Sequence, residues 1–404
     1  MLTPEENDTL TLVGKGTPAG ELLRRYWHPV AVAGELTEEK PIKAVKLLGE
    51  SLVVFRQPPA PGQSQPRYGL VKEQCPHRLA SLAFGRVDGE GIRCPYHGWK
   101  FDTAGNCIDL PAEPPGSPLK NKIHQPAYPV EKLAGLLYAY MGPLPAPLLP
   151  RWDVLAREDG KRWTVIESVI DCNWLQAMEN SLDPSHLYWL HGMFEAKGHI
   201  SDHSKPYDEK HEFIRFEYGL SKRRITPGRK PSDPPMVDEH PVLFPTTLRH
   251  VSNEDSGSRI ERRYRHNLQI RVPRDDTHTQ VYRVNFVPSN SERSPAEQDP
   301  PFEYRPLKFA NGEYDMRIVG AQDSMAWETQ GPRFDRSKEN LGTSDVGITA
   351  LRRLLKEQIE IVRNGGEPMG VVRDPAKNTM IDLNVINERI GLMSDSRREN
   401  GLRA

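Results

Sequence analysis

This chain lacks an excess of charge of either sign. Its formal net charge is −1 at pH 7, which gives no hint of nucleic acid or an anionic membrane surface as a partner. Cysteine is scarce as well, and four residues are too few to argue a disulfide framework. No internal repeat is visible. The uncharged stretch Leu133 to Pro150 is long enough to raise a membrane question, but it contains Gly142, Pro143, Pro145, Pro147 and Pro150. It therefore reads as a strand followed by a Pro-rich linker. The acidic opening, Met1 to Asp8, lacks the apolar core of a targeting signal. A soluble chain with neither nucleic-acid nor membrane partners is expected.

At 404 residues the chain exceeds what one hydrophobic core normally serves, so two domains are expected. The most informative stretch is Cys75-Pro76-His77, followed after a long spacer by Cys94-Pro95-Tyr96-His97-Gly98-Trp99. Two thiols and two imidazoles suit a tetrahedral structural zinc site. Zinc knuckles, however, usually pair like with like, whereas here each knuckle supplies one Cys and one His. That mixed set is what a Rieske [2Fe-2S] cluster needs, with Cys75 and Cys94 on one iron and His77 and His97 on the other. Pro76, Pro95, Gly98 and Trp99 would stiffen two tight loops around it. With the C-x-H…C-x2-H pattern intact, the chain resembles the Rieske family. An iron–sulfur centre and the two remaining thiols, Cys107 and Cys172, favour a reducing, cytoplasmic setting.

A second segment runs Glu179-Asn180-Ser181-Leu182-Asp183-Pro184-Ser185-His186 and on to His191-Gly192. Asp183 and His186 are spaced to share a helix face. His186 and His191 are five apart, about 140° around an ideal helix, so convergence on one metal needs a distorted or ending helix. Pro184 disfavours a straight helix and Gly192 is a good terminator. Read alone, the two histidines are helix-end residues and Asp183 is an N-cap. Beside a Rieske motif, N-x2-D-x2-H-x4-H resembles the mononuclear iron signature of Rieske oxygenases. Arg24 to Val30 is similar to the opening of oxygenase α-subunits of the phthalate dioxygenase-like branch. The stretch Asn173 to His186 resembles the O-demethylases within it.

The resemblance implies His186 and His191 as ligands of a mononuclear Fe(II), completed by a carboxylate from elsewhere. Asp323 in Gln322-Asp323-Ser324-Met325-Ala326-Trp327-Glu328 is the leading candidate, with Glu328 and Asp315 as alternatives. A carboxylate near a helix N-terminus is the plainer reading of Asp323. The resemblance further implies that Asp183, with Asn180 beside it, joins the two metal centres across a subunit boundary in a homotrimer or stacked trimers. It implies electrons from an NADH-dependent reductase or a ferredoxin, and O2 acting on an aromatic substrate, carboxylated and methoxylated. The expected reaction is O-demethylation with formaldehyde release, and the alternative is ring cis-dihydroxylation. Lysine and arginine side chains between residues 200 and 265 would clamp a substrate carboxylate. An electron carrier, the reading from another class, fits neither the length nor His186 and His191.

The expected fold is α+β. Residues 1–150 form an all-β Rieske domain with an N-terminal extension, and residues 151–404 form a helix-grip catalytic domain. A short helix over Gly20–Tyr26 is expected to pack on the first domain. Strands are expected at Pro29–Ala33, Lys43–Leu48, Ser51–Phe55 and Leu136–Tyr140, with a loop over Pro58–Pro66. In the second domain strands are expected at Trp163–Ile170, Val242–Phe244, Tyr264–Val272 and Gln280–Phe286, with a turn at Pro273–Thr277. Helical segments are expected over Asn173–Gly192 and Asp323–Asn364. Residues 200–240, polar and rich in Pro and Lys, read as an excursion or lid outside the core.

Overall fold

The computed structural model describes residues 2–114, 116–192, 209–227, 232, 235–254 and 263–384. Short runs of Val, Leu and aromatics form the first strands: β1 (Trp27–Val32), β2 (Ile42–Leu47), β3 (Glu50–Gln57), β4 (Arg67–Lys72), β5 (Arg86–Asp88), β6 (Gly91–Arg93), β7 (Lys100–Phe101), β8 (Cys107–Asp109), β9 (Ala127–Tyr128), β10 (Val130–Leu133) and β11 (Leu136–Tyr140). They make three small sheets, ordered β1-β11-β10, β2-β3-β4-β9 and β5-β6-β7-β8. The two metal-motif loops follow β4 and β6. A separate core of Val53, Phe55, Val71, Leu82, Ile92 and Phe101 packs around Cys75 and Cys94.

The second half is built on one sheet, whose strands are β12 (Gly160–Glu167), β13 (Lys210–Phe216), β14 (Gly219–Thr226), β15 (Met236–Leu243), β16 (Thr247–Glu254), β17 (Arg263–Asp275), β18 (His278–Pro288) and β19 (Phe302–Arg305). The order is β13-β14-β15-β16-β17-β18-β12-β19, antiparallel except where β19 runs parallel to β12. Alternation along a strand divides its side chains between two faces. Leu268, Ile270 and Val272 of β17 join Tyr282, Val284 and Phe286 of β18 in the main core. Asn267, Gln269 and Arg271 face the other way, into a cavity. The amphipathic helix Val346–Arg363 buries Leu351, Leu354, Leu355, Ile359 and Val362 in that main core, one face at helical spacing.

The structure corrects three expectations. The N-terminal extension does not pack on the first domain alone. A helix spans Pro4–Thr11, with a Thr3/Glu6 capping box, and a second spans Pro18–Leu23. Asn7 donates to the Phe334 carbonyl at 3.0 Å and Lys356 to Glu6 at 2.6 Å, so the extension is pinned to the second half of the chain. Next, residues 210–226 and 236–240 are strands of the large sheet, not an excursion. They are polar because one face lines a polar cavity, and polarity there had pointed to solvent. Residues 200–208, also placed in that excursion, lie outside the described residues. Lastly, Asn173–Gly192 is not one helix. An α-helix, Trp174–Asn180, ends before Pro184, and a single π-helical turn, Leu187–His191, follows. The turn expected within Pro273–Thr277 is present at its C-terminal end, with β17 running through a bulge to Asp275.

Candidate active site

Two clusters of the expected residues come together, one on each half. In the first, backbone bonds close both loops tightly. The Cys75 N–H donates to the Ala80 carbonyl at 2.9 Å, and the Cys94 N–H to the Trp99 carbonyl at 2.8 Å. Gly98 has φ of +75°, and a Cβ on it would meet Pro111 Cγ at 2.7 Å, so only glycine fits there. The thiols of Cys75 and Cys94 point inward and are buried. His77 and His97 lie outward with ring centroids 4.5 Å apart, and Trp99 stacks under His77 at 4.4 Å. Burial first, and then the neighbouring Cys94 thiol, push the Cys75 thiol up to about 12. The Cys75 thiolate therefore needs a metal charge to hold it ionised. His97 Nδ1 is buried without a hydrogen-bond partner.

The second cluster is His186, His191 and Asp323, with one ligand atom of each within 4.8 Å of the others. The π-helical turn resolves the awkward spacing of the two histidines. Such a turn repeats i to i+5, which is the interval from His186 to His191, and their ring centroids stand 5.2 Å apart. His186 Nε2 lies 3.8 Å and His191 Nε2 3.4 Å from the same oxygen, Asp323 Oδ1. That oxygen is buried and accepts no hydrogen bond. Both imidazoles turn Nδ1 outward to an acceptor. His191 Nδ1–H donates to Gln322 Oε1 at 2.7 Å, and Gln322 is held in turn by donating to the Met316 carbonyl at 2.7 Å. His186 Nδ1 faces Asp183 Oδ2 at 3.6 Å. The bond to Gln322 leaves His191 Nε2 as a free lone pair.

Asp323 sits in the helix Val319–Thr329, one position after Gln322, so a single turn of backbone places the carboxylate and the partner of His191. The alternatives to Asp323 are committed elsewhere. Glu328 accepts from Tyr314 at 2.5 Å and from the Asp171 N–H at 2.9 Å, and pairs with Lys308 at 2.6 Å. Asp315 pairs with Arg317 at 2.7 Å. Asp183 does cap locally, its Oδ1 accepting the Ser185 N–H at 2.8 Å. Burial raises its carboxyl, but His186, the Ser185 N–H and the charge of Lys222 outweigh this and hold it below the usual carboxylate range. Asn180 lines the cavity beside His186.

The cluster opens on a cavity of about 590 Å3, a size suited to a small organic ligand. Its far wall is the polar face of the sheet. One row crosses it from Lys222 to His240, then His250, which stacks on His240 at 4.3 Å, then Asn267, Asn285 and Trp163. Reading the sequence missed Gln322 and this histidine pair, and included Lys222 only among the lysines and arginines of 200–265 without singling it out. Only the alternation of polar residues in 219–226 and 263–271 could have marked the wall.

Residues 26–129 match the Rieske [2Fe-2S] domain, and residues 170–360 match the vanillate O-demethylase oxygenase C-terminal domain. Over 395 residues the chain is 40% identical to the 5,5'-dehydrodivanillate O-demethylase oxygenase subunit of Sphingobium sp. (strain NBRC 103272 / SYK-6), covering 96% of this chain and 87% of that protein. The chain is a Rieske oxygenase. This oxygenase is also 35% identical over 395 residues to the phenoxybenzoate dioxygenase subunit alpha of Ectopseudomonas oleovorans, covering 90% of this chain and 87% of that one. The fold is shared with the terminal oxygenase of carbazole 1,9a-dioxygenase from Novosphingobium sp. KA1, at a TM-score of 0.59 and 19% identity, covering 88% of this chain and 95% of that chain.

The family carries a Rieske [2Fe-2S] cluster and a mononuclear iron, and the residues present fit both. Two buried thiols beside two outward imidazoles match the donor set of the cluster. An orphaned carboxylate oxygen facing two free imidazole nitrogens matches a two-His, one-carboxylate iron with open positions. As an oxygenase component, the chain takes its electrons from a reductase or ferredoxin. Among the described residues no helix is long and apolar enough to cross a membrane.

Proposed function

We propose that this chain is the terminal oxygenase of a cytoplasmic O-demethylating system, acting on a methoxylated aromatic acid. The observation that carries the reading is the set of half-buried His186 with buried His191 and Asp323, opening on the polar cavity. The relative at 40% identity, which is named for an O-demethylase, favours O-demethylation. In this reading Cys75, His77, Cys94 and His97 hold the cluster, with the boundary between the Rieske and catalytic domains near residue 150. His186, His191 and Asp323 hold the iron, which when bound supplies O2 activation.

The chain's own residues do the rest. Gln322 holds the His191 N–H, which keeps that ring's Nε2 available, and the Asp183 carboxylate stands beside the Nδ1 side of His186. The cavity wall positions the methoxy group and restricts water. Overall, ArOCH3, O2, two electrons and two protons give ArOCH2OH and water. The hemiacetal then loses formaldehyde and leaves the phenol.

The outward His77 and His97 sit among exposed Leu79, Phe84 and Tyr96, at 71%, 82% and 58% exposure. That surface supports docking of a reductase or ferredoxin, and of a neighbouring copy in a homotrimer. The test is product analysis of the reconstituted system on a panel of methoxylated aromatic acids, including 5,5'-dehydrodivanillate. One formaldehyde per phenol is expected. A cis-dihydrodiol without formaldehyde would replace this reading with ring dihydroxylation; the phenoxybenzoate relative is named a dioxygenase.

A further inference from the structure

Among the described residues, six lysine and arginine side chains line the cavity, and five of them are already engaged. Arg283 pairs with Glu167 at 2.5 Å, and Arg305 pairs with Glu303 at 2.5 Å with its side chain 39% exposed. Arg224 faces Asp238 at 3.7 Å and Glu209 at 3.9 Å. Arg271 bonds Ser181 Oγ and Gln269 Oε1 and covers the Trp327 ring. Arg265 is half-buried and donates to Ser252 Oγ at 3.3 Å.

Lys222 differs from all of these. It is 6% exposed and lines the cavity, yet among the described residues its Nζ makes no hydrogen bond and has no carboxylate within 4.0 Å. A buried ammonium without a partner is costly, and burial pulls Lys222 down to about 8. The charges around it come from four elements. Arg224 shares β14, Asp238 and His240 stand on β15, Asp183 precedes His186, and Arg271 lies on β17. The two carboxylates support its charge and the two guanidiniums oppose it. The site is a partly neutralised cation facing the space beside the iron ligands, completed by one more anion.

We infer that Lys222 receives a carboxylate of the aromatic substrate, fixing the acid end on β14 within the cavity lined by His186, His191 and Asp323. This rests on the oxygenase reading for the rest of the ligand and selects one residue as the acid's partner. The row His240, His250, Asn267 and Asn285 would then run alongside the ring with hydrogen-bonding groups rather than charge.

The test uses the holoenzyme under anaerobic conditions, with 5,5'-dehydrodivanillate and its dimethyl ester as probes and binding followed by calorimetry. The wild type should bind the acid about 10- to 100-fold tighter than the ester, as for hydrogen bonds to a charged partner. Lys222→Met should bind the two equally, and Lys222→Arg should keep most of the preference. A Lys222→Met protein that still prefers the acid overturns the inference. So does a wild type that prefers the ester, treats the two alike or binds neither. Should Lys222→Met fail to fold, the wild type decides alone. Acid binding should weaken as pH rises through about 8, while ester binding stays flat, and parallel profiles for both probes overturn the inference. Product identity is read separately. Acid preference lost in Lys222→Met, with a dihydrodiol as product, would leave the carboxylate site standing and end the O-demethylation reading.

Discussion

His191 donates its Nδ1–H to the side-chain oxygen of Gln322 at 2.7 Å, and the next residue, Asp323, turns its free carboxylate oxygen towards the same ring's Nε2 at 3.4 Å. Two adjacent residues of one helix therefore set both the tautomer and the third ligand of the proposed iron. Gln322→Leu removes only the first of these. Iron affinity should fall by about 10- to 100-fold, read as faster loss of mononuclear iron to a chelator, while the cluster spectrum is unchanged. Gln322→Glu, which can still accept from Nδ1–H, should recover most of the affinity. Equal iron retention in Gln322→Leu and wild type would make this hydrogen bond irrelevant to the site.

Glu179 ties the helix before the iron ligands to the helix Val346–Arg363. It accepts from Arg336 at 2.8 Å and from Arg352 at 2.6 Å, all three side chains being buried. Burial raises the Glu179 carboxyl, but the two guanidiniums outweigh it and the net shift is downward. Its contribution to stability is therefore present above the ordinary glutamate range and lost as pH falls through the lower folded value. Glu179→Ala leaves two buried cations without their shared partner and should cost about 3–5 kcal/mol, measured by chemical denaturation at pH 7. A loss that does not shrink at acidic pH would contradict the linkage.

The metal chemistry was more legible in the sequence than the cavity was. Mixed Cys/His knuckles pointed to the cluster because ligand type alone separates it from zinc. His186 and His191 were visible as a pair, yet their convergence was not, because a five-residue interval fits no α-helical face and the π-turn leaves no plain signature. The Pro4–Thr11 helix has its signature in Thr3-Pro4-Glu5-Glu6, a capping box with proline at the first helical position. Residues 210–226 misled because their polar side chains face an enclosed wall, and polarity by itself does not separate a lined cavity from solvent. Gln322 carries no signal of its own, since its role depends on a ring that the fold brings from over a hundred residues away.

Asp183 bonds the Ser185 N–H and faces His186 Nδ1 at 3.6 Å, and we expect its second role to be a contact with His97 of the partner subunit. In Asp183→Asn both metal centres should load and the oligomer should persist. Oxidation of the reduced cluster by O2 and substrate should slow by orders of magnitude. Single-turnover oxidation at the wild-type rate in a fully loaded variant would leave Asp183 as a local cap only.

Cys75→Ala should remove the red-brown chromophore and acid-labile sulfide together, because one buried thiolate cannot hold its iron alone. A protein as isolated that contains stoichiometric zinc and no labile sulfide would end the cluster assignment.

The most direct measurement is iron content and turnover of Asp323→Ala beside the wild type. The wild type should hold about three irons per chain, two of them in the cluster. Asp323→Ala should hold about two irons, keep the full Rieske spectrum and release no formaldehyde. About three irons and near-normal turnover in Asp323→Ala would show that the third ligand lies elsewhere and would contradict the site described above.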